Sequence, residues 1–350
     1  MSGGVDSSAT AALLLEQGFD VIGITLKLWP QDCVNRAEDK CCGPQAVTDA
    51  RAVCHKLDIP YYLIDEAAEF QKHVIQYFAD EYKAGRTPNP CVMCNQNLKF
   101  GRLINRADQL GADLIATGHF ARVERVGGAP GRYLLKRGRD LRKDQSYFLF
   151  SLRQDQLARA IFPLGEMTKS DTRQVARHCN LKTAEKEESM EICFVPDNNY
   201  GGFLQSANLV QKHRGNIMDV YGQVLGQHEG IEFYTIGQRR GLGITTPKPV
   251  YVVELDAENN RVVVGDEAAL DRDEFTADRC NWHPFEKLEG PIEVTAKIRY
   301  NHPGAPATVT PLDGGRVKVK MHSPARAITP GQAAVFYQDD LVVGGGWIAR

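Results

Sequence analysis

Apolar and polar positions in the first 120 residues switch repeatedly between a helical period and short apolar runs. Helical spacing of the apolar residues predicts helices over 7–18, 44–58, 69–85 and 94–111. Short runs rich in apolar and β-forming residues predict strands over 19–26, 59–65 and 112–120. Strands separated by helices of this length predict a parallel sheet with both faces covered.

The pattern changes after Asn199. Gly-bearing turns and short alternating runs occupy 213–244, and short strands recur at near-regular spacing from about residue 269. This predicts an α/β domain over 1–203, a small central β-rich domain over 204–268 and a C-terminal β-barrel over 269–350.

Composition narrows the class of protein. The 350 residues are 43% hydrophobic and 25% charged, with a formal net charge of -2. These values fit a globular protein and argue against a broadly basic nucleic-acid binder. A local basic face is still available, because 121–143 carries eight Lys or Arg residues against two acidic ones, namely Arg122, Arg125, Arg132, Lys136, Arg137, Arg139, Arg142 and Lys143 against Glu124 and Asp140.

The expected compartment is the cytoplasm. No apolar run is long enough for a membrane span, and no secretion signal is visible. Thiols stay reduced in that compartment, so the nine cysteines indicate chemistry, metal binding or core packing rather than a disulfide scaffold.

The stretch SGGVDSS (2–8) has the features of a phosphate-binding loop. Its two glycines let backbone N–H groups approach an anion, and a predicted helix follows directly and adds its positive dipole end. The Lys of a Walker-type loop is missing, which argues against γ-phosphate transfer. The stretch resembles the loop of the PP-loop ATP pyrophosphatase superfamily, whose members split ATP between the α and β phosphates.

One departure from that superfamily concerns the strand that leads into the loop. Here the chain starts at Met1, so we expect an inner strand of the parallel sheet to be missing. Each buried backbone group left without a partner would cost about 1–3 kcal/mol.

The cysteines form a second candidate site. Cys91 and Cys94 have C-x-x-C spacing before the helix predicted over 94–111, and a helix N-terminus favours a thiolate at Cys94. Cys193 lies in EICFVP after a charged stretch, as in an exposed loop. Half of a structural zinc site is the alternative, and Cys33, Cys41 and Cys42 could contribute ligands to it. Cys54 and Cys179 are expected to lie on helices and to pack in the core.

Several segments together resemble one family, the tRNA-specific 2-thiouridylases. RTPNPCVMCN, ATGHFARV, KDQSYF, EICFVP, YTIGQRRGLGI, AKIRY and PGQAAVFY occur in this order across nearly the whole chain. The resemblance implies a PP-loop domain of the adenine nucleotide α-hydrolase type, a small central domain and a β-barrel. It also implies replacement of the C2 oxygen of the wobble uridine by sulfur, with ATP and Mg²⁺.

The chemistry implied by the resemblance uses two cysteines. ATP adenylates the C2 oxygen, Cys193 carries sulfur as a persulfide, and Cys94 attacks that persulfide or resolves it after it has attacked the base. Either route ends in a Cys94–Cys193 disulfide that a reductant resets. The Cα atoms must then come within about 4.4–6.8 Å, so the loop bearing Cys193 is expected to move over Cys94. An iron–sulfur cluster on Cys91, Cys94 and Cys193 is the open alternative.

The resemblance assigns the remaining site residues by position. The ATP contacts would be Ser2, Gly3, Gly4, Val5, Asp6, Ser7, Ser8, Leu26 and Gly118. The tRNA contacts would be Asn89, Pro90, Cys91, His119, Lys143, Asp144, Gln145, Arg299, Tyr300 and Gln332. Many relatives have Asp at the position of Cys91, and His119 has a competing role in stabilising its turn. Arg239 and Arg240 are a further candidate phosphate contact, from their charge and neighbouring glycines.

The expected partners are the anticodon stem-loop of tRNA and a persulfide donor such as a cysteine desulfurase relay protein. An anticodon loop presents splayed bases, and access to C2 requires the uridine to leave its stack. Two other functions fit parts of the sequence. An amide-forming PP-loop ligase would need no cysteines, and a zinc-stabilised tRNA-binding protein would form no AMP.

Overall fold

A computed structural model describes residues 1–28, 43–127, 131–187 and 192–349. The chain forms two compact units. The first comprises Met1–Val74, Cys91–Asn198 and Asp340–Val342. The second comprises Ile75–Pro90, Asn199–Asp339 and the residues from Val343 onwards.

The helices of the described residues include nine α-helical segments, and π-helical turns join two pairs of them. They are α1 (Val5–Glu16), α2 (Pro44–Lys56), α3 (Ala67–Phe70), α4 (Gln76–Lys83), α5 (Pro90–Cys94), α6 (Leu103–Gln109), α7 (Gln154–Leu157), α8 (Lys169–His178) and α9 (Tyr200–Ser206). A π-helical turn over Gln71–Ile75 joins α3 to α4, and another over Asn95–Arg102 joins α5 to α6.

The strands of the described residues divide between the two units. They are β1 (Gly23–Lys27), β2 (Tyr61–Asp65), β3 (Ile115–Ala116), β4 (Ala121–Val126), β5 (Arg132–Arg137), β6 (Ala160–Ile161), β7 (Gly215–Asp219), β8 (Val224–His228), β9 (Tyr251–Asp256), β10 (Arg261–Gly265), β11 (Asp271–Trp282), β12 (Ile292–Lys297), β13 (Ala305–Pro311), β14 (Val317–Arg326), β15 (Ala333–Gln338) and β16 (Leu341–Ile348).

The first unit has the predicted α/β character. β1 pairs in parallel with β2, and β3 pairs in parallel with β6. α1 packs through fully or nearly fully buried alanines such as Ala9 and Ala12. The strand predicted over 112–120 is wrong in extent, because only Ile115 and Ala116 pair and the chain then turns at Gly118–His119. The basic stretch forms the antiparallel hairpin β4–β5.

The start of the chain lies beside β1. The hydroxyl of Thr25 donates to the carbonyl of Met1 at 2.8 Å, and the amino group of Met1 donates to the carbonyl of Ile24. These bonds place the residues that enter the 2–8 loop next to the strand that carries Leu26.

The second unit holds the predicted β domains. Four strands pair in the order β8-β7-β10-β9 around a core that includes Ile217, Val252 and Val262. Six strands close a barrel in the order β11-β14-β13-β12-β15-β16, and β16 pairs back to β11. The predicted C-terminal barrel is therefore confirmed. The sequence analysis did not locate β11 individually, because the strand carries many charged residues and its pairing register with β16 shifts between Asp278 and Asn281, so its buried residues Ala277 and Trp282 do not follow a simple alternation.

No helix in the described parts of the chain is both long and apolar enough to cross a membrane.

Candidate active site

The 2–8 loop is a tight turn that leads directly into α1. Gly3 has a positive φ of 67°, and a Cβ at this position would lie 2.4 Å from the carbonyl oxygen of Ala46 in α2. Gly4 precedes the helix in an extended conformation. Only glycine fits the first position, and the first N–H groups of α1 have no intrahelical acceptor. The loop therefore has the geometry that binds phosphate at a helix N-terminus.

The serines of the loop are held by one another. The hydroxyl of Ser7 accepts from the backbone N–H of Ser2 at 3.1 Å and donates to the carbonyl of Gly4 at 3.2 Å. Ser8 also donates to the Gly4 carbonyl, at 2.8 Å. The hydroxyls of Ser2 and Ser7 lie 3.1 Å apart and both side chains are partly exposed, so rotation about a single bond can redirect these two hydroxyls to phosphate oxygens. Ser8 is fully buried and stabilises the loop.

The turn at Gly118 packs against this loop. A Cβ on Gly118 would lie 2.8 Å from the Cβ of Asp6 and 3.0 Å from the backbone nitrogen of Ser7. The structure thus brings Gly118 to the first turn of α1, and any side chain there would collide with it.

Two lysines that the sequence analysis did not single out lie at the loop. The ammonium group of Lys186 donates to the carbonyl of Gly3 at 3.2 Å and to the carboxylate of Asp49 at 2.6 Å. Burial raises the pKa of Asp49, but hydrogen bonds from Lys186 and Gln45 outweigh this effect and leave that pKa below its usual value. These contacts place one cation directly on the backbone of the loop.

The second lysine is paired with the loop's own carboxylate. Lys169 is 9% exposed, and its ammonium group lies 2.6 Å from the carboxylate of Asp6. A charge-assisted bond in such surroundings is among the stronger polar contacts of a protein. Lys169 and Lys186 are each more than 160 residues from the loop in sequence. Neither belongs to a sequence motif, so the sequence analysis could not identify them.

The helix that carries the C-x-x-C pair begins earlier than predicted. α5 starts at Pro90, whose fixed φ suits the first helical position, so Cys91 lies in the first turn and Cys94 one turn later. The prediction that Cys94 stands at the helix N-terminus is wrong for this reason. Residues three apart share one helix face, and both thiols are partly exposed.

Cys193 lies in a turn of the same unit. The backbone N–H of Val195 donates to the carbonyl of Ile192 at 3.0 Å, and Phe194 packs edge-on against Phe70 of α3 at a centroid distance of 5.7 Å. Phe194 and Val195 are buried while Cys193 is partly exposed. The turn therefore anchors its apolar residues and leaves its thiol accessible.

The described residues contain no group of three His, Cys, Asp or Glu side chains arranged to hold a metal ion. Cys54 is fully buried in α2, and burial raises the pKa of its thiol. Cys179 follows the last residue of α8 instead of lying within a helix. Cys33, Cys41 and Cys42 lie outside the described residues.

The predicted tRNA residues of the first unit surround the turn after β3. The backbone N–H of Gln145 donates to the carbonyl of Phe120 at 2.9 Å, and the Gln145 side chain accepts from the Phe120 N–H at 3.1 Å. Asp144 is 7% exposed, and its carboxylate accepts from the N–H groups of Gly138 and Ser146. Asp144 thus stabilises the loop that carries Lys143, whose side chain is partly exposed.

His119 stabilises its own turn. Its Nδ1 lies 2.7 Å from the hydroxyl of Thr117, and its ring packs against Phe100 and Phe162. Burial, with a smaller contribution from the charge of Lys99, holds the pKa of His119 well below its usual value. This shift favours the neutral ring and argues against His119 as a cation toward phosphate.

Much of the charge on the basic hairpin is used within the first unit. Arg122 bonds to Asp340 at 2.7 Å, and Lys136 bonds to Glu124 at 2.6 Å. Arg142, by contrast, has a side chain that is 94% exposed, and the nearest acidic atom to its guanidinium is 3.9 Å away on Asp140. The segment therefore presents fewer available cations than its sequence suggests.

In the second unit, Gln332 holds the segment that precedes the C-x-x-C helix. Its amide donates to the carbonyls of Thr87 and Pro88, both at 3.1 Å, and the N–H of Thr87 donates to the carbonyl of Pro330. Asn89 follows directly and is 7% exposed. Gln332 is thereby placed to fix the approach to Asn89 and Pro90.

Arg299 and Tyr300 lie in the turn after β12. The guanidinium of Arg299 donates to the carbonyl of Arg326 at 3.0 Å, and Lys297 lies over the ring of Tyr300 at 5.6 Å. Both side chains are partly exposed and lie beside further cations. This corner of the barrel is basic.

The segment with Arg239 and Arg240 forms a shallow groove. Residues 239 and 241–250 line a volume of about 520 Å³, and Leu242 and Ile244 anchor it to the core beneath. Arg239, Arg240 and Lys248 are exposed. Among the described residues no side-chain ion pair or hydrogen bond occupies the two arginines.

Comparisons with known proteins cover the whole chain. Family models match in three consecutive parts, described as a tRNA methyl transferase HUP domain over residues 1–197, a tRNA methyl transferase PRC-barrel domain over 202–266 and an aminomethyltransferase β-barrel domain over 272–348. These matches agree with the predicted α/β, central β-rich and barrel order. The predicted boundaries at 203/204 and 268/269 stay a prediction.

Several curated relatives carry the same name, tRNA-specific 2-thiouridylase MnmA. The relative from Clostridium perfringens is 49% identical over 99% of this chain and 96% of its own length. That from Heliobacterium modesticaldum is 50% identical over 100% and 91%. That from Moorella thermoacetica is 51% identical over 99% and 98%.

Proposed function

Because the chain belongs to the tRNA-specific 2-thiouridylase family, we propose that it replaces the C2 oxygen of the wobble uridine in tRNA with sulfur from a cysteine persulfide. It is a tRNA sulfurtransferase that uses ATP through a PP-loop. The finer mechanism is supported by residues that all belong to the first unit. The first unit holds both the intact 2–8 loop, with Gly118 against it, and two partly exposed thiols, Cys94 and Cys193.

ATP converts the C2 oxygen of uridine into a better leaving group. A uridine carbonyl carbon is a poor electrophile, and its oxygen leaves badly. The C2 oxygen attacks the α-phosphorus, and pyrophosphate departs toward the N–H groups of α1 and the ammonium of Lys186. The C2 substituent then leaves as AMP.

The two cysteines complete the sulfur transfer. The outer sulfur of the Cys193 persulfide ends on C2, and the C2–O bond to AMP breaks. Cys94 attacks the inner sulfur of Cys193, either to free hydrosulfide before this step or to release the thiolated base after it. Both routes form a Cys94–Cys193 disulfide, and an external thiol reductant supplies the two electrons that reopen it.

Mg²⁺ fits the donor set of the loop. This ion keeps several waters and needs only one or two carboxylates in addition to substrate phosphates. Asp6 is the acidic side chain of the loop and would hold the ion while sharing its carboxylate with Lys169, whose ammonium group lies 2.6 Å away. The ion would supply charge neutralisation of the phosphates.

Each unit contributes its own proposed tRNA contacts. Lys143 and the neighbouring Gln145 in the first unit, and Arg299 and Tyr300 in the second, supply cations, amides and an aromatic ring. Such groups suit a single-stranded loop with flipped bases. A persulfide-carrying relay protein is the proposed sulfur donor.

Mass spectrometry of tRNA after anaerobic incubation with ATP, Mg²⁺ and a persulfide source tests this function. We expect wild-type protein to add one sulfur in place of one oxygen, and Cys94→Ser and Cys193→Ser to lose at least about 100-fold of this activity. Cys179→Ser is the matched control, because this partly exposed thiol lies at the end of α8, and it should retain activity.

A further variant separates persulfide from cluster chemistry. Cys91→Asp removes one of the three candidate cluster ligands but keeps a polar side chain at the position. Retained thiolation in Cys91→Asp and after iron chelation supports the persulfide. Loss of activity in both assays contradicts the persulfide route. Full activity of Cys94→Ser and Cys193→Ser would instead favour an amide-forming ligase.

A further inference from the structure

The helix changes its hydrogen-bond pattern immediately after Cys94. Residues Asn95–Arg102 form a π-helical turn between α5 and α6. Such turns account for well under 1% of residues, and they often mark functional sites because the widened helix leaves main-chain groups without their usual partners. Something outside the helix must therefore stabilise this segment.

One buried amide supplies that stabilisation. Gln156 of α7 is 1% exposed, and its Nε2 donates to the carbonyl of Gln96 at 2.9 Å and to that of Phe100 at 2.6 Å. Its Oε1 accepts from the N–H of Arg153 at 3.0 Å. Both amide hydrogens and the acceptor are thus used, and two of the three bonds go to carbonyls inside the π-helical turn.

Two further residues fit the same arrangement. A Cβ on Gly101 would come within 3.0 Å of the Gln96 carbonyl oxygen, the same oxygen that accepts from Gln156. Asn95, which is 2% exposed, donates to the carbonyl of Phe148 at 3.1 Å. The turn is therefore fixed at its first residue and at its centre.

The register of this turn determines where the Cys94 thiol points. Each residue of an α-helix advances the direction of its side chain by about 100°. If the π-helical turn relaxed to an α-helix while α6 stayed in place, Cys94 would rotate by up to about that amount. A thiol that must meet both a persulfide and an activated base cannot tolerate such a rotation, because misplacement by about 1 Å can cost about 100-fold in rate.

We propose that Gln156 is a positioning residue for Cys94, which holds the π-helical turn in register and so directs the thiol toward the transferred sulfur. This inference rests on the proposed function, and Gln156, which is 1% exposed, acts on Cys94 through the helix backbone.

Replacement of the amide tests the proposal. Gln156→Met removes both donors and keeps the side-chain length. Gln154→Met is the matched control, because Gln154 lies on the same helix and bonds to the backbone of Tyr133 at 2.8 and 2.9 Å, away from the π-helical turn. Single-turnover assays would follow pyrophosphate release and thiolated tRNA separately.

We expect Gln156→Met to slow sulfur transfer by about 10- to 100-fold while pyrophosphate release stays within about twofold. The iodoacetamide reaction rate of Cys94, measured against pH in a Cys91→Ser, Cys193→Ser background, should also change. Gln154→Met should change neither readout. A merely destabilised protein would lose both steps together.

Gly101→Ala provides a second route if Gln156→Met does not fold, because it presses on the Gln96 carbonyl and leaves Gln156 intact. Sulfur transfer equal to that of Gln154→Met in either folded variant overturns the proposal. Absence of thiolation by wild-type protein would overturn the proposed function instead, so the two failures are distinguishable.

Discussion

At the scale of single residues, the loop at 2–8 obtains from elsewhere the cation that its own sequence lacks. Lys186 donates to the Gly3 carbonyl from 183 residues away. Sequence analysis could predict the loop because its residues are contiguous. It could not predict Lys186, which stands between two glutamates and looks like an ordinary surface charge.

We expect Lys186→Gln to raise the KM for ATP by about 10-fold, because a charge-assisted hydrogen bond contributes roughly 1.5–3 kcal/mol. Lys182→Gln is the control, because this exposed lysine acts on Asp49 only through its charge. Steady-state pyrophosphate release at varied ATP measures the effect. An equal KM in both variants would contradict a role for Lys186 at the phosphates.

At the scale of elements, periodicity located most helices and the C-terminal strands but not their internal details. The apolar pattern correctly predicted helical structure over 94–111, but the helical segment begins at Pro90 and contains a π-helical turn. Neither feature has a periodic signature, because the turn depends on a glutamine about 60 residues later in the chain. Cys91 and Cys94 were recognised from their spacing and Cys193 from the segment EICFVP, whereas the direction in which the Cys94 thiol points depends on tertiary contacts.

The turn before β15 illustrates another dependence on tertiary contacts. Gly331 has a φ of 87°, and a Cβ there would lie 2.8 Å from the Cβ of Arg86 and 2.9 Å from the carbonyl oxygen of Thr87. The same turn carries Gln332, whose amide holds the Thr87 and Pro88 carbonyls. The barrel therefore supports the segment that leads to Asn89.

We expect Gly331→Ala to lower the free energy of unfolding by about 2–5 kcal/mol, from backbone strain and from the clash together. Gly314→Ala separates the two contributions, because Gly314 has a φ of 73° but a Cβ added there would have no atom within 4 Å. That control should lose only about 1 kcal/mol. Urea unfolding measures the free energy of unfolding of both variants. Similar losses in the two would show that neighbouring residues shift to relieve the clash at Gly331.

At the scale of the whole molecule, a net charge of -2 hides local basic surfaces. Charge along the sequence did not locate them reliably, because arginines of the β4–β5 hairpin are paired with acidic residues that are distant in sequence, as Arg122 is with Asp340. Arg239 lines a groove of the second unit, and both Arg239 and the adjacent Arg240 are exposed.

For this reason we expect Arg239→Ala, Arg240→Ala together to weaken tRNA binding and to reduce the slope of log K against log salt by roughly 1 to 2. Lys318→Ala, Lys320→Ala changes the net charge equally, but these lysines already pair with Glu274 and Asp273 at 2.9 and 2.6 Å. Filter binding over a range of salt concentrations gives both slopes. Equal slopes would contradict phosphate contact by the arginines.

The pairing of Asp340 with the β4–β5 hairpin also affects when the first unit can finish folding during synthesis. The Asp340 carbonyl accepts from the N–H of Arg137 at 2.8 Å, and its carboxylate accepts from Arg122. A nascent chain usually folds its N-terminal parts first. Here the first unit lacks Asp340–Val342 until synthesis has passed the whole central region and most of the barrel strands. Residues up to Val342 must therefore be synthesised before the first unit can be completed, and a product stalled earlier would lack the Asp340 acceptor for Arg122 and for the N–H of Arg137.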